Sequence, residues 1–215
     1  MESEMDINFE KKRLGYSLIF PLAFLLSLWL VWFVEITLDL DFSYMGIFPR
    51  KISGLKGIIF SPFIHADIKH LFNNSVPLLV LTTAIFYFYS SLAFRIFFLS
   101  WFMVGIWVWF GGREAYHIGA SGLIYGFAAF LFISGVIRNY IPLLAISMLV
   151  VFLYGSLIWG IFPIQPHISY ESHMLGAISG VVLAIHYRKY GPQRPKYRWE
   201  EEEELGLDED EMQES

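Results

Sequence analysis

Apolar residues fall into six long blocks, roughly 16–34, 70–89, 96–110, 118–137, 141–162 and 168–187, separated by short polar breaks. Lys11, Lys12 and Arg13 precede the first block, and Arg95 marks the turn between the second and third. Gly111, Gly112 and the polar stretch 113–117 divide the third from the fourth. Arg138-Asn139 breaks the fourth from the fifth, and Pro163 and Pro166 punctuate the loop before the sixth. Blocks of about 20 apolar residues are long enough to cross a hydrocarbon core about 30 Å thick. A bilayer admits only helices or closed barrels, and the alternation of barrel strands is missing, so all six blocks read as helices. The first block is too long for a signal peptide and is not followed by a small-residue cleavage site. The stretch between the first two blocks is too long for a simple connection. Its Ile58, Ile59, Phe60 and Phe63 fit a segment lying in the membrane interface. The expected fold is an all-α membrane protein, a bundle of six transmembrane helices over 16–187, flanked by segments 1–15 and 188–215.

Composition agrees with this pattern. The chain is 56% hydrophobic and 16% charged, against about 45–50% apolar and 25% charged in soluble domains. With no cysteine, disulfides, thiolate metal sites and cysteine nucleophiles are excluded. A net charge of −5 without a basic patch argues against a nucleic-acid partner. The acidity gathers in runs at 200–204 and 208–211, which read as a solvated, disordered tail. Six helices put both termini on one side. Lys11, Lys12, Arg13, Arg95, Arg138, Arg188, Lys189, Arg194, Lys196 and Arg198 fall on that side, and Arg50, Lys51, Lys56, Lys69 and Arg113 on the other. The excess of Lys and Arg on the first side assigns both termini to the cytoplasm.

Polar residues inside such blocks need a reason, because lipid satisfies none of them. Three clusters stand out, all near the outer ends of helices under this topology: His65, His70, Asn73, Asn74 and Ser75; Gly119-Ala120-Ser121-Gly122 with Tyr125 and Gly126; and Ser172, His173, Gly176 and Gly180. Their common depth predicts that they meet. Ser121 and Tyr125, four apart, share a helix face, as do His70 and Asn74. Gly122 and Gly126 form a small-residue pair that admits another helix. Gly176 and Gly180 line the face that carries His173, so the helix carrying the imidazole can approach closely. Proton transfer from a serine hydroxyl to a histidine nitrogen needs about 3 Å between them. His70 and Asn74 supply neutral donors for an oxyanion, and the start of a helix at Ser121 favours negative charge. Glu171 is the single Asp or Glu inside any block, and it is expected to point away from His173.

The Gly119-Ala120-Ser121-Gly122 motif with Tyr125-Gly126, the set His65, His70, Leu71 and Asn74, and the run His173, Gly176, Gly180 together resemble the signature of the rhomboid family. That resemblance implies an intramembrane serine endopeptidase with a six-helix core. It implies that Ser121 is the nucleophile and His173 its base. It further implies that His70, Asn74 and the Ser121 backbone form the oxyanion hole, with Tyr125 packed on the imidazole. Single-span membrane proteins in the bilayer are the implied substrates, no cofactor or metal is needed, and a bacterial plasma membrane is the expected location. One departure is visible: the family often carries a Trp-Arg pair in the first outer loop, and residues 37–64 contain no Trp, with Pro49-Arg50 the nearest feature.

Other chemistries lack their parts. There is no His-Glu-x-x-His helix for a metalloprotease and no pair of intramembrane carboxylates for an aspartyl protease. Leu123 breaks the Gly-x-Ser-x-Gly elbow of soluble hydrolases. Two further readings are an inactive rhomboid relative that binds client helices and a channel or transporter. Against the first, both Ser121 and His173 are present; against the second, there is no internal repeat. His65 reads as a structural loop residue, His117 and His167 as solvated, and His186 as interfacial. The fifth block, with Leu149, Phe152, Leu153 and Trp159, is the expected gate for a substrate.

Overall fold

A computed structural model describes residues 2–153, 160–163 and 169–192. Trp159, Pro166, His167, Arg194, Lys196, Arg198 and the acidic runs 200–204 and 208–211 lie outside the described residues. Among the described residues the α-helices are α1 (Glu2–Thr37), a short α2 (Gly57–Phe60), α3 (Ile68–Phe88), α4 (Ala93–Gly111), α5 (Ser121–Arg138), α6 (Ile141–Leu153) and α7 (Tyr170–His186). Among the described residues the only β pairing is an isolated antiparallel bridge between Ile47 and His117. By length and composition, Ile7–Thr37, α3, α4 and α5 can each cross a membrane. The protein is therefore an all-α membrane protein. α1 begins at Glu2, well before the apolar block at 16–34, because the charged segment ahead of that block continues the same helix.

The helix ends follow from local chemistry. Asp67 caps α3 by accepting a hydrogen bond from the His70 backbone N–H at 2.7 Å, an arrangement worth about 1 kcal/mol. It fixes where the helix starts, and hence where His70 and Asn74 stand. α5 stops at Asn139, which takes the left-handed conformation (φ 50°, ψ 45°) that Asn tolerates better than most residues. Arg138, just before that stop, is buried and donates to the Tyr187 carbonyl at 2.6 Å. A residue that reads as a surface charge thus ties the end of α5 to the end of α7.

α5 is the centre of the bundle and packs on α3, α4, α6 and α7. It is buried nearly all round, from Gly122 through Phe127, Phe130 and Leu131 to Ser134, as expected of a helix enclosed by others. α3 turns one stripe inward, comprising Leu71, Asn74, Ser75, Leu78, Leu81 and Ile85, at the three-to-four spacing of a helix face. Asn74 therefore points into the protein and not into lipid. The closest approach is between α5 and α7. A Cβ on Gly176 would overlap the Gly122 carbonyl oxygen, and one on Gly180 would overlap the Gly126 carbonyl oxygen. A Cβ on Gly126 would come within 3.2 Å of the Gly176 carbonyl oxygen. The two glycine pairs read from the sequence face each other.

The segment between α1 and α3 folds back onto α4. Trp101 donates its indole N–H to the Ile58 carbonyl at 2.7 Å, and Trp109 donates to Lys51 at 2.9 Å. Arg50 donates to the Gly112 carbonyl at 2.8 Å from a backbone with φ 59°. Without a Trp of its own, this loop is held by tryptophans of α4.

Candidate active site

α5 begins at Ser121 itself, three residues later than the apolar block at 118–137. Gly119, with φ 100°, turns the chain just before it, and its N–H is held by the Ser61 carbonyl at 2.8 Å. Ser121 is thus the first residue of the helix, where backbone N–H groups have no partner within the helix. His173 stands one turn into α7, on the helix brought close by Gly176 and Gly180.

The structure brings these two side chains together. His173 Nε2 lies 2.7 Å from Ser121 Oγ. On the other side of the ring, Nδ1 lies 2.9 Å from the Gly160 carbonyl oxygen. A carbonyl can only accept, so Nδ1 carries the proton and donates it to Gly160. Nε2 is then the unprotonated nitrogen and accepts from the Ser121 hydroxyl. The Tyr125 ring stacks on the imidazole, with centroids 4.2 Å apart and planes 12° from parallel. His173 is therefore fixed in position, orientation and tautomer without a carboxylate. Glu171 is buried and turned elsewhere: it accepts from the Arg113 backbone N–H at 3.3 Å and pairs with the Arg113 guanidinium at 3.7 Å.

Beside Ser121 the Gly119 backbone leaves a small recess. A Cβ there would lie 2.8 Å from His70 Nε2 and 3.5 Å from Asn74 Nδ2. Both side chains thus point at the space that Gly119 keeps open. Asn74 is buried, and its Nδ2 has no hydrogen-bond partner among the described residues. A buried unpaired amide donor costs about 1–3 kcal/mol. Its presence marks a place shaped to receive an acceptor.

The remaining candidates divide. Gly119, Gly122, Tyr125, Gly176 and Gly180 all border the Ser121–His173 pair or the helix crossing that carries it. Asn73 does not join them, being exposed, and Ser75 instead donates to the Leu71 carbonyl and receives the Trp29 indole N–H. His65 is buried against the His70 ring, with centroids 4.9 Å apart. His117 corrects a sequence expectation: it is not solvated but 2% exposed. It exchanges two backbone hydrogen bonds with Ile47, and its ring bonds Ser169 Oγ and the Arg113 carbonyl. The Gly160 carbonyl was not foreseen at all, since a backbone acceptor leaves no mark on side-chain identity.

A family model described as the Rhomboid domain matches residues 53–190, a span that includes every residue of this site. The chain belongs to the rhomboid family. The chain is similar to uncharacterized proteins of Mycobacterium tuberculosis and Mycobacterium bovis, each 34% identical over 187 residues. The alignment covers 80% of this chain and 75% of each relative. A third, from Mycobacterium leprae, is 34% identical over 190 residues, covering 80% of this chain and 71% of the relative. The rhomboid assignment makes this an integral membrane protein of an intramembrane-protease family.

Proposed function

We propose that this rhomboid is an active serine endopeptidase that hydrolyses peptide bonds of single-span membrane proteins. The observation that carries this reading is the 2.7 Å contact between Ser121 Oγ and an imidazole whose tautomer Gly160 has already set. Ser121 Oγ attacks the scissile carbonyl carbon while its proton passes to His173 Nε2. The imidazolium so formed is stabilised by the Gly160 carbonyl and the face of Tyr125. The carbonyl oxygen becomes an oxyanion in the recess beside Gly119, where the Ser121 N–H, His70 and Asn74 donate to it. His173 returns its proton to the leaving amine as the peptide C–N bond breaks, leaving an ester on Ser121. Water then attacks the ester, passing a proton to His173, and the serine is regenerated.

The bilayer supplies both substrate and setting. A bacterial plasma membrane with both termini in the cytoplasm puts the site near the extracytoplasmic surface, where water reaches it. A binder of client helices would need neither an aligned hydroxyl nor an oriented imidazole, and a channel would have no use for an unpaired amide beside a serine.

A fluorophosphonate test decides whether Ser121 is activated. The purified protein should acquire one covalent adduct, mapped by mass to Ser121, and neither Ser121→Ala nor His173→Ala should acquire it. A folded wild-type protein that takes up no adduct would refute the reading.

A further inference from the structure

His117, which is buried, and Ser169, which is half-buried, are hydrogen-bonded partners on two different chain segments, and each stands four residues ahead of one member of the Ser121–His173 pair. Ser169 is the N-cap of α7, and its carbonyl accepts from the His173 backbone N–H at 3.3 Å. A serine in that place ordinarily turns its hydroxyl onto the N–H groups of its own helix. Here the hydroxyl makes no such bond. It joins His117 Nδ1 on one side and Ser172 Oγ, 2.6 Å away, on the other.

The direction of every proton in this chain can be worked out. His117 Nε2 lies 3.0 Å from the Arg113 carbonyl oxygen, which only accepts, so Nε2 carries the hydrogen. Burial lowers the pKa of His117 and keeps the ring neutral, so Nδ1 is an acceptor. Ser169 must then donate to His117, and Ser172 to Ser169. The backbone of His117 is pinned as well, through 2.8 and 3.0 Å hydrogen bonds with Ile47. Arg113 and Glu171, the charged groups that share this corner, are paired with each other.

We infer that the His117–Ser169 hydrogen bond is a positioning tie, holding the first turn of α7 in register with the start of α5 and so setting the Ser121–His173 distance. The inference rests on the function proposed above and adds two positioning residues to it. The glycine crossing brings the axes of α5 and α7 together, but it lies below the pair. Above the pair, the segment ahead of Ser121 is joined to the first turn of α7 by the His117–Ser169 bond, beside the Arg113–Glu171 pair. Misplacing reacting groups by about 1 Å can cost roughly 10²-fold in rate, so loss of the tie acts on turnover more than on binding.

The test uses the full chain in detergent, with His117→Phe, Ser169→Ala, the double variant and His117→Asn, whose amide oxygen can still accept from Ser169. For fluorophosphonate labelling, the maximal rate should fall about 10- to 100-fold in His117→Phe and Ser169→Ala, with half-saturation within about twofold. The double variant should be no slower than the worse single one, and His117→Asn should keep most of the rate. Wild-type rates in the single variants, effects that multiply, or a His117→Asn as slow as His117→Phe would each overturn the tie. Nitrogen NMR of histidine-labelled protein reads the same contact without any activity. Ser169→Ala should shift the ring nitrogens of His173 as well as those of His117, and unchanged His173 signals would overturn the inference. If wild-type Ser121 takes no label, the proposed function fails, and the NMR comparison still decides the tie.

Discussion

Asn74 holds a buried amide donor without a partner among the described residues, a cost of about 1–3 kcal/mol. Asn74→Leu removes that donor while keeping the branching at Cγ and the number of heavy atoms. It should therefore melt at or above the wild-type temperature while turnover falls about 10²-fold and KM changes little. A lower melting temperature with unchanged turnover would make Asn74 a packing residue. His70→Ala should act in the same direction, and the two should be less than additive if they serve one oxyanion; full additivity counts against that. These residues were legible in the sequence because a polar side chain in an apolar block is expensive and their spacing put them on shared faces. Gly160 was not legible, since its contribution is a carbonyl that any residue has. His117 misled because its sequence neighbours are polar. Its burial comes from Ile47 and Ser169, residues 70 and 52 positions away in the chain.

At the level of elements, the α5–α7 crossing is the part on which the geometry most depends. Gly122, Gly126, Gly176 and Gly180 were visible as pairs four residues apart, and the helices meet along both pairs. Gly176→Val would drive its side chain into the Gly122 carbonyl and move His173 away from Ser121. The variant should still insert in the membrane, yet lose fluorophosphonate labelling by about 10²-fold or more. Labelling at the wild-type rate would show that the crossing does not set the pair. Helix starts were less legible. α5 begins at Ser121 because the left-handed turn at Gly119 and its bond to Ser61 delay the helix, a contact between segments that periodicity does not carry.

For the whole molecule, the question is how a substrate helix reaches a site enclosed by α3, α5 and α7. α6 exposes Leu149 and Phe152, and α3 is anchored at its N-terminal end by the Asp67 cap and the buried Asn74. α6 is thus the element proposed to yield. The chain has no cysteine, so a cross-linker between Val76→Cys and Leu149→Cys reports on one pair of helices alone. Cross-linked protein should lose activity on membrane substrates and keep it on small soluble esters; undiminished cleavage of membrane substrates would place the entrance elsewhere. The order of the helices and the meeting of three polar clusters were readable because lipid imposes one demand on every span. The loops carry no such constraint, so the ties of Ile47, Arg50 and His117 emerged only from the structure.

The most direct measurement is cleavage of a single-span substrate by the protein reconstituted in liposomes, with the products mapped by mass spectrometry. At 1.5 Å per residue, a nucleophile at the first turn of α5 lies within a few ångström of the N-terminal end of its helix, the extracytoplasmic end in the proposed orientation. The scissile bond should therefore fall within about two helical turns of the extracytoplasmic boundary of the substrate, and Ser121→Ala should abolish the cut. A cut in the middle of the span, or one that survives in Ser121→Ala, would contradict the account.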